Sequence, residues 1–325
     1  MAPDADAGKL AKRADPFAPL TSELLDVGDG HDVHVESIGG EGGIAAVYLH
    51  GGPGSGCQPD HRRLFDPERF HAVLFDQRGC GRSRPKGSRA HNTTAHLIAD
   101  MEKIRERFGF ARWMVVGGSW GATLALAYAQ AHPKRVSGLV LRATFLGTRE
   151  ELDGAFLHTL PRFYPALYQD FLKFLPENER AAPLAAYYRR ILDPNIDVNA
   201  PAARAWHDTE RALSEHTPKQ TRLDLQKTSG ALPSTPYMEA HYFGNDCFMR
   251  PNQLIDEAGK LAGIPGILVQ GRYDLLCPPA TSHALAARWP GSEVRIVDGA
   301  GHILYDPGIR NAVMKAIADL ASRAS

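Results

Sequence analysis

Residues 113–133 read Trp-Met-Val-Val-Gly-Gly-Ser-Trp-Gly-Ala-Thr-Leu-Ala-Leu-Ala-Tyr-Ala-Gln-Ala-His-Pro, and no other stretch constrains the fold as tightly. A short β-branched apolar run ends at Gly117-Gly118-Ser119-Trp120-Gly121, and an Ala/Leu-rich helical run begins at once. This spacing predicts a strand, a sharp turn and a helix, with a serine at the apex. Such a turn strains the serine backbone, and small flanking residues let strand and helix approach each other. The helix N-terminus also directs free N–H groups and a positive dipole end at the same point. A serine held this way offers its hydroxyl to a substrate rather than to the core. G-x-S-x-G alone is a moderate signal, because Gly and Ser are common turn residues. The strand and helix on either side make Ser119 a candidate nucleophile.

A nucleophilic serine needs a base, a group to orient that base, and donors for the developing oxyanion. On folds with this turn the chain order is Ser, acid, His. Pro265-Gly-Ile-Leu-Val-Gln-Gly271 reads as a buried strand, and Arg272-Tyr273-Asp274 follows it. Glu293-Val-Arg-Ile-Val297 is the next strand-like run, followed by Asp298-Gly-Ala-Gly-His302. Both groups sit just past strand C-termini, where open α/β sheets bind ligands. The chain has 14 His, so a lone histidine means little. His302 is singled out by its Gly-rich strand-end loop and its place after Asp274. Asp298 competes for the acid role, but a position four residues before His302 suits a turn residue better. For the oxyanion, the strand Ala45-Ala-Val-Tyr-Leu49 runs into His50-Gly-Gly-Pro-Gly54. Bare glycines let a backbone N–H approach a substrate oxygen, and Pro53 stiffens the loop. Gly52 and Trp120 are the expected N–H donors. Read alone, that loop is as good a plain tight turn as an oxyanion hole. Together the four pieces describe a serine hydrolase.

Composition narrows the alternatives. At 325 residues, one domain with a large insertion, or two domains, is expected. Lys+Arg and Asp+Glu are both 37, so zero formal charge makes no electrostatic case for nucleic acid or a membrane surface. Cys57, Cys80, Cys247 and Cys277 show neither metal-ligand nor paired spacing, which suits reduced thiols in a cytoplasmic protein. Early acids and no apolar core argue against a signal peptide at the N-terminus, and residues 1–15 are expected to be disordered. No apolar run approaches the ~20 residues needed to cross a bilayer. Oligomeric state has no signature here.

Strand-like runs alternate with helical periodicity from about residue 23 to 142, which indicates a parallel sheet covered by helices. Leu97, Ile98, Met101, Ile104 and Phe108 recur at helical spacing behind the N-cap candidates Asn92-Thr93-Thr94. His71-Ala-Val-Leu-Phe75 and Ser137-Gly-Leu-Val-Leu-Arg142 read as further strands. The segment 145–255 is richer in aromatics, Pro and charge, and shows helical stretches without a convincing strand. It reads as a helical cap inserted into a core made of residues 16–144 and 256–325.

His50-Gly-Gly-Pro-Gly54, Asp76-Gln-Arg-Gly-Cys-Gly-Arg-Ser83, Asn92-Thr-Thr94, Gly117-Gly-Ser-Trp-Gly121 with its helix, Gly271-Arg-Tyr-Asp274 and Gly301-His302 together resemble the proline iminopeptidase family. This is the prolyl aminopeptidase branch of the α/β-hydrolases, and the resemblance runs over roughly residues 16–320. It implies an α/β-hydrolase fold: a mostly parallel sheet flanked by helices, with an inserted helical cap. It also implies release of an N-terminal proline through an acyl-enzyme, without metal or cofactor. Ser119 would attack, His302 would relay the proton and Asp274 would orient His302. By similarity Glu210 and Glu239 fall on acidic cap positions that hold the substrate amine, whose charge is costly to bury unpaired. Arg142 and Phe145 match pocket-lining positions, and Cys277 matches a thiol near the site. The chain departs from the family where Gly154, Ala155 and Thr209 replace usual aromatics. Lost apolar contact weakens discrimination for a small ring by only ~1–3 kcal/mol per methylene or two, so a wider site is expected. The alternative is an esterase, amidase or lactonase using the same three residues on an uncharged small acyl substrate.

Overall fold

The computed structural model describes residues 15–225 and 231–323, so the disorder expected of residues 1–15 lies, apart from Asp15, outside the described residues. Among these, one sheet holds the strands β1 (Thr21–Gly28), β2 (His31–Gly39), β3 (Ile44–Leu49), β4 (Phe70–Phe75), β5 (Trp113–Ser119), β6 (Val136–Thr144), β7 (Gly266–Gly271) and β8 (Ser292–Val297). Their spatial order is β1-β2-β4-β3-β5-β6-β7-β8. β1 pairs antiparallel with β2, β2 antiparallel with β4, and every later pairing is parallel. The antiparallel start has a local cause. β1 and β2 are joined by Asp29-Gly30, both at positive φ, a dipeptide that closes a hairpin and leaves no room for a crossover helix.

The helices are α1 (Thr94–Arg107), α2 (Trp120–Ala131), α3 (Arg149–Asp153), α4 (Leu160–Phe163), α5 (Pro165–Lys173), α6 (Pro183–Ile191), α7 (Ile196–Ser214), α8 (Thr235–Phe243), α9 (Gln253–Asp256), α10 (Pro279–Ala286) and α11 (Ile309–Arg323). Thr93 caps α1, its side chain accepting from the His96 N–H. α2 is buried along Trp120–Gln130, which is why its sequence carries no polar stripe. Two apolar cores result. One packs α1, α2 and α10 with the helices that follow β6, and the other packs α11 on the opposite side. Between β6 and β7 the described residues are helix and loop.

The sheet order positions the site. β3 lies between β4 and β5, so the chain leaves β3 toward one side and returns on the other. Loops leaving neighbouring strands in opposite directions open a crevice at their C-terminal ends. The loops after β3 and β5 flank this crevice. A buried ion group braces the loop after β4: Arg78 holds Asp100 of α1 through two hydrogen bonds of 2.7 Å, and reaches Asp29 in the hairpin turn at 3.0 Å.

Candidate active site

Ser119 closes β5 with φ 56° and ψ −125°, outside every comfortable region for a residue with a side chain. Strain of this kind costs of order 1–3 kcal/mol and is held by its surroundings. A β-carbon on Gly117 would lie 2.3 Å from the Gly121 carbonyl oxygen, and one on Gly121 would lie 2.2 Å from that of Leu49. Only glycine at both positions lets α2 start directly behind the strand. The sheet register also breaks here: Gly118 pairs with Arg142, but Ser119 pairs with Thr144. The serine is thereby lifted out of the sheet at the N-terminus of α2.

His302 Nδ1 lies 2.9 Å and 3.0 Å from the two Asp274 carboxylate oxygens. Asp274 Oδ1 also accepts the Leu276 N–H at 3.0 Å and the Cys277 N–H at 2.8 Å. A carboxylate surrounded by donors accepts the Nδ1 proton, which leaves the His302 Nε2 lone pair free. The loop is pinned from two sides: the His302 N–H donates to the Ser214 carbonyl of α7, and Arg142 Nη1 donates to the His302 carbonyl. Asp298, the competing acid, is exposed and paired with Arg272.

Ser119, His302, Gly52, Arg142, Glu210 and Glu239 open into one cavity of about 380 Å³. Beside Ser119 lies a smaller pocket of about 30 Å³ lined by Phe145, Leu152, Ala155, Phe156, Phe243 and Cys277. At ~10–15 Å³ per water-sized group, this holds two or three such groups. Of the small residues at which widening is expected, Ala155 lines this pocket beside the rings of Phe156 and Phe243, whereas Gly154 lines a separate cavity. A π-helical turn over Gly154–Thr159 carries Ala155 and Phe156 into the wall. Thr209, the third departure, is buried and donates to the Ala205 carbonyl within α7.

Two carboxylates meet above the serine. Glu239 of α8 accepts the Trp206 indole N–H at 2.7 Å and shares a hydrogen bond with Glu210 of α7. Phe156 stacks on the same indole at 4.4 Å and fixes it. Burial, then the Glu210 charge, pushes Glu239 well above the usual carboxylate range, and burial pushes Glu210 up to about 7. Two carboxylates so close hold one proton between them and act as a single negative charge. Such a pair suits a cationic nitrogen.

Asp274, Cys277 and His302 bring ligand atoms within 4.8 Å of one another. The hydrogen bond between Asp274 and His302 accounts for that grouping, and burial pushes the Cys277 thiol up, which keeps it a poor metal ligand. Two residues of the site escaped the sequence reading as contributors. His50 and Gln77 are buried behind Gly52 and Trp120, and only their places in the quoted motifs marked them.

The α/β hydrolase fold profile matches residues 47–308. A proline iminopeptidase from Arabidopsis thaliana is 40% identical over 310 residues, covering 93% of this chain and 82% of that protein. One from Neisseria gonorrhoeae is 39% identical over 309 residues, covering 94% and 97%. Among solved structures, a proline iminopeptidase from Mycobacterium smegmatis superposes with a TM-score of 0.62 at 17% identity, covering 94% of this chain and all of that one, a likeness of fold. No helix of the described residues is long and apolar enough to cross a membrane. With this identity sustained over nearly the whole chain, the protein belongs to the proline iminopeptidase family of the α/β-hydrolases.

Proposed function

We propose that this chain is a serine aminopeptidase that releases an N-terminal proline from peptides through an acyl-enzyme. The observation that carries the reading is the pair of buried Glu239 and half-buried Glu210 beside a pocket of about 30 Å³ at the serine. The pair supplies one negative charge for a protonated imino nitrogen, and the pocket suits the methylenes of a pyrrolidine ring. A blocked amine would leave the carboxylates without a cation, and a larger side chain would exceed the pocket.

In this reading Ser119 Oγ attacks the prolyl carbonyl and passes its proton to His302 Nε2, while Asp274 stabilises the imidazolium. The Gly52 and Trp120 N–H groups receive the developing oxyanion. His302 then protonates the leaving amine. Water, activated by the same histidine, hydrolyses the prolyl ester and frees proline. Phe145 lines the ring pocket. Arg142 holds the His302 loop by its carbonyl, so its service to substrate runs through that histidine. Residues 145–255 serve as the cap over the core of residues 16–144 and 256–325. The support for this division is that α7 and α8 supply the carboxylates, while strand ends supply Ser119, Asp274 and His302. The four cysteines are free and buried, which fits the reducing cytoplasm.

The deciding experiment is release of a chromogenic amine from unblocked Pro, Ala, Leu and Phe arylamides and from N-acetyl-Pro arylamide, with Ser119→Ala as control. Strong preference for unblocked Pro, lost in Ser119→Ala, is expected. Equal turnover of the blocked substrate removes the role of the carboxylate pair. Ester hydrolysis with no arylamide turnover removes the peptidase reading.

A further inference from the structure

His50 is the first residue after β3, and its imidazole is fully buried with main-chain groups as its hydrogen-bond partners, the Asp76 carboxylate and the His61 ring lying nearby. The Gln77 backbone N–H lies 3.0 Å from Nε2. That group can only donate, so Nε2 carries the lone pair and the proton sits on Nδ1. Nδ1 lies 2.9 Å from the Gly51 carbonyl oxygen, which therefore accepts it. The Gly56 N–H, 3.2 Å from Nδ1, is the longest of the three contacts and the one this tautomer gives up. The other tautomer would set a lone pair against the Gly51 oxygen and a proton against the Gln77 N–H, losing the two shorter contacts. Burial pushes the imidazole down, so the ring stays neutral.

The consequence follows from peptide geometry. In a planar trans peptide the carbonyl of one residue and the N–H of the next point in opposite directions. Tying the Gly51 oxygen back to His50, with help from the Ser55 N–H at 3.4 Å, turns the Gly52 N–H the other way. The loop borders the reaction side: Gly52 lines the cavity that Ser119 opens into, and a β-carbon built on Gly51 would lie only 3.7 Å from the Ser119 β-carbon. The second donor is braced through the same residues. Gln77 Nε2 donates to the His50 carbonyl at 3.0 Å, and Gln77 Oε1 accepts the Trp120 indole N–H at 2.8 Å.

We propose that His50, as its Nδ1–H tautomer, is a positioning residue that aims the Gly52 N–H at the transition-state oxyanion, with Gln77 joining it to Trp120. The proposal rests on the roles given above to Ser119 and Gly52.

The test compares His50→Asn with His50→Gln. Asparagine places an amide N–H where Nδ1 stands, whereas glutamine places its amide near Nε2, out of reach of the Gly51 oxygen. For both variants, kcat and KM on prolyl arylamide are measured beside inhibition by pyrrolidine-2-boronic acid and by L-proline. The boronate forms a tetrahedral adduct on the serine and L-proline does not. His50→Gln is expected to lose about 100-fold in kcat, the loss typical of one oxyanion donor, with a parallel loss of boronate affinity. Its KM and L-proline affinity are expected to stay within about threefold, and His50→Asn to recover at least about tenfold of both losses. A glutamine variant within threefold of the wild-type kcat overturns the proposal. So do equal losses in the two variants, or equal weakening of L-proline and boronate. A measurement on the unaltered protein stands beside these: the nitrogen NMR shifts of His50 are expected to report a neutral ring protonated at Nδ1, and protonation at Nε2 overturns the proposal. Full activity in Ser119→Ala overturns the underlying reading, whereas an inert Ser119→Ala beside an unaffected His50→Gln overturns this inference alone.

Discussion

In the proposed reading, substrate choice turns on Glu239. It is 1% exposed, and its neighbours at the carboxylate are Trp206, Thr235 and Glu210. Glu239→Gln keeps the shape and an acceptor for Trp206 but leaves the shared negative charge to Glu210 alone, removing one charge-assisted contact to the bound cation, a loss of about 1.5–3 kcal/mol. Prolyl arylamide turnover, read as kcat/KM, is therefore expected to fall by about 10- to 150-fold. Hydrolysis of a simple ester is expected to survive, and equal loss on both substrates would count against amine recognition. Glu210 sets a pH dependence. With its carboxyl pushed up to about 7, acidification through that value neutralises the pair and removes the partner of the cation. The kcat/KM for prolyl arylamide should then decline as pH falls through about 7, and an acid limb left in place by Glu210→Gln assigns it elsewhere. Neither glutamate was visible in its local sequence, since a single helical Glu is usually solvated. Only the family resemblance selected them, and only packing joins them.

At the scale of elements, α7 and α8 meet at an electrostatic cost. Burial raises the Glu210 carboxyl above its usual value, so the folded protein binds more protons than the unfolded chain between about pH 4.5 and 7. The stability tied to that proton is complete below the unfolded value and is lost as pH rises through about 7. Glu210→Gln removes the titration. Its melting temperature is expected to match wild type near pH 4.5 and exceed it at pH 8, by about 2 °C for each kcal/mol relieved. Scanning calorimetry at the two pH values checks the sign. Some elements were legible in advance. β5 and α2 were set by the apolar run and the glycines, and α1 by its periodicity and its Thr93 cap. The hairpin β1–β2 and the π-helical turn at Gly154–Thr159 were not. Strand direction depends on which neighbour a strand finds. An extra residue per helical turn leaves no mark in a pattern of apolar positions.

The whole molecule depends on buried charge groups that tie distant segments. Arg78 is 2% exposed and joins the loop after β4 to α1 and to the β1–β2 turn. Asp100→Ala leaves that guanidinium without its main partner and is expected to cost about 3–5 kcal/mol. Urea unfolding measures this as a lower midpoint at unchanged slope. A shift below about 1 kcal/mol would mean that Asp29 and the carbonyls suffice. On its own, the sequence determined the strained turn from strand through serine to helix, the alternation that builds a parallel sheet, and the chain order of the candidate serine, acid and histidine. These are local, because glycine spacing, apolar period and strand-end loops act on adjacent residues. The tertiary structure alone decided the pairing of Glu210 with Glu239, the ring that Phe156 supplies where Ala155 is small, and the bracing of Gly52 by His50 and Gln77. Those depend on groups far apart in the chain, and burial, proton sharing and carbonyl direction exist only once the chain has packed them together.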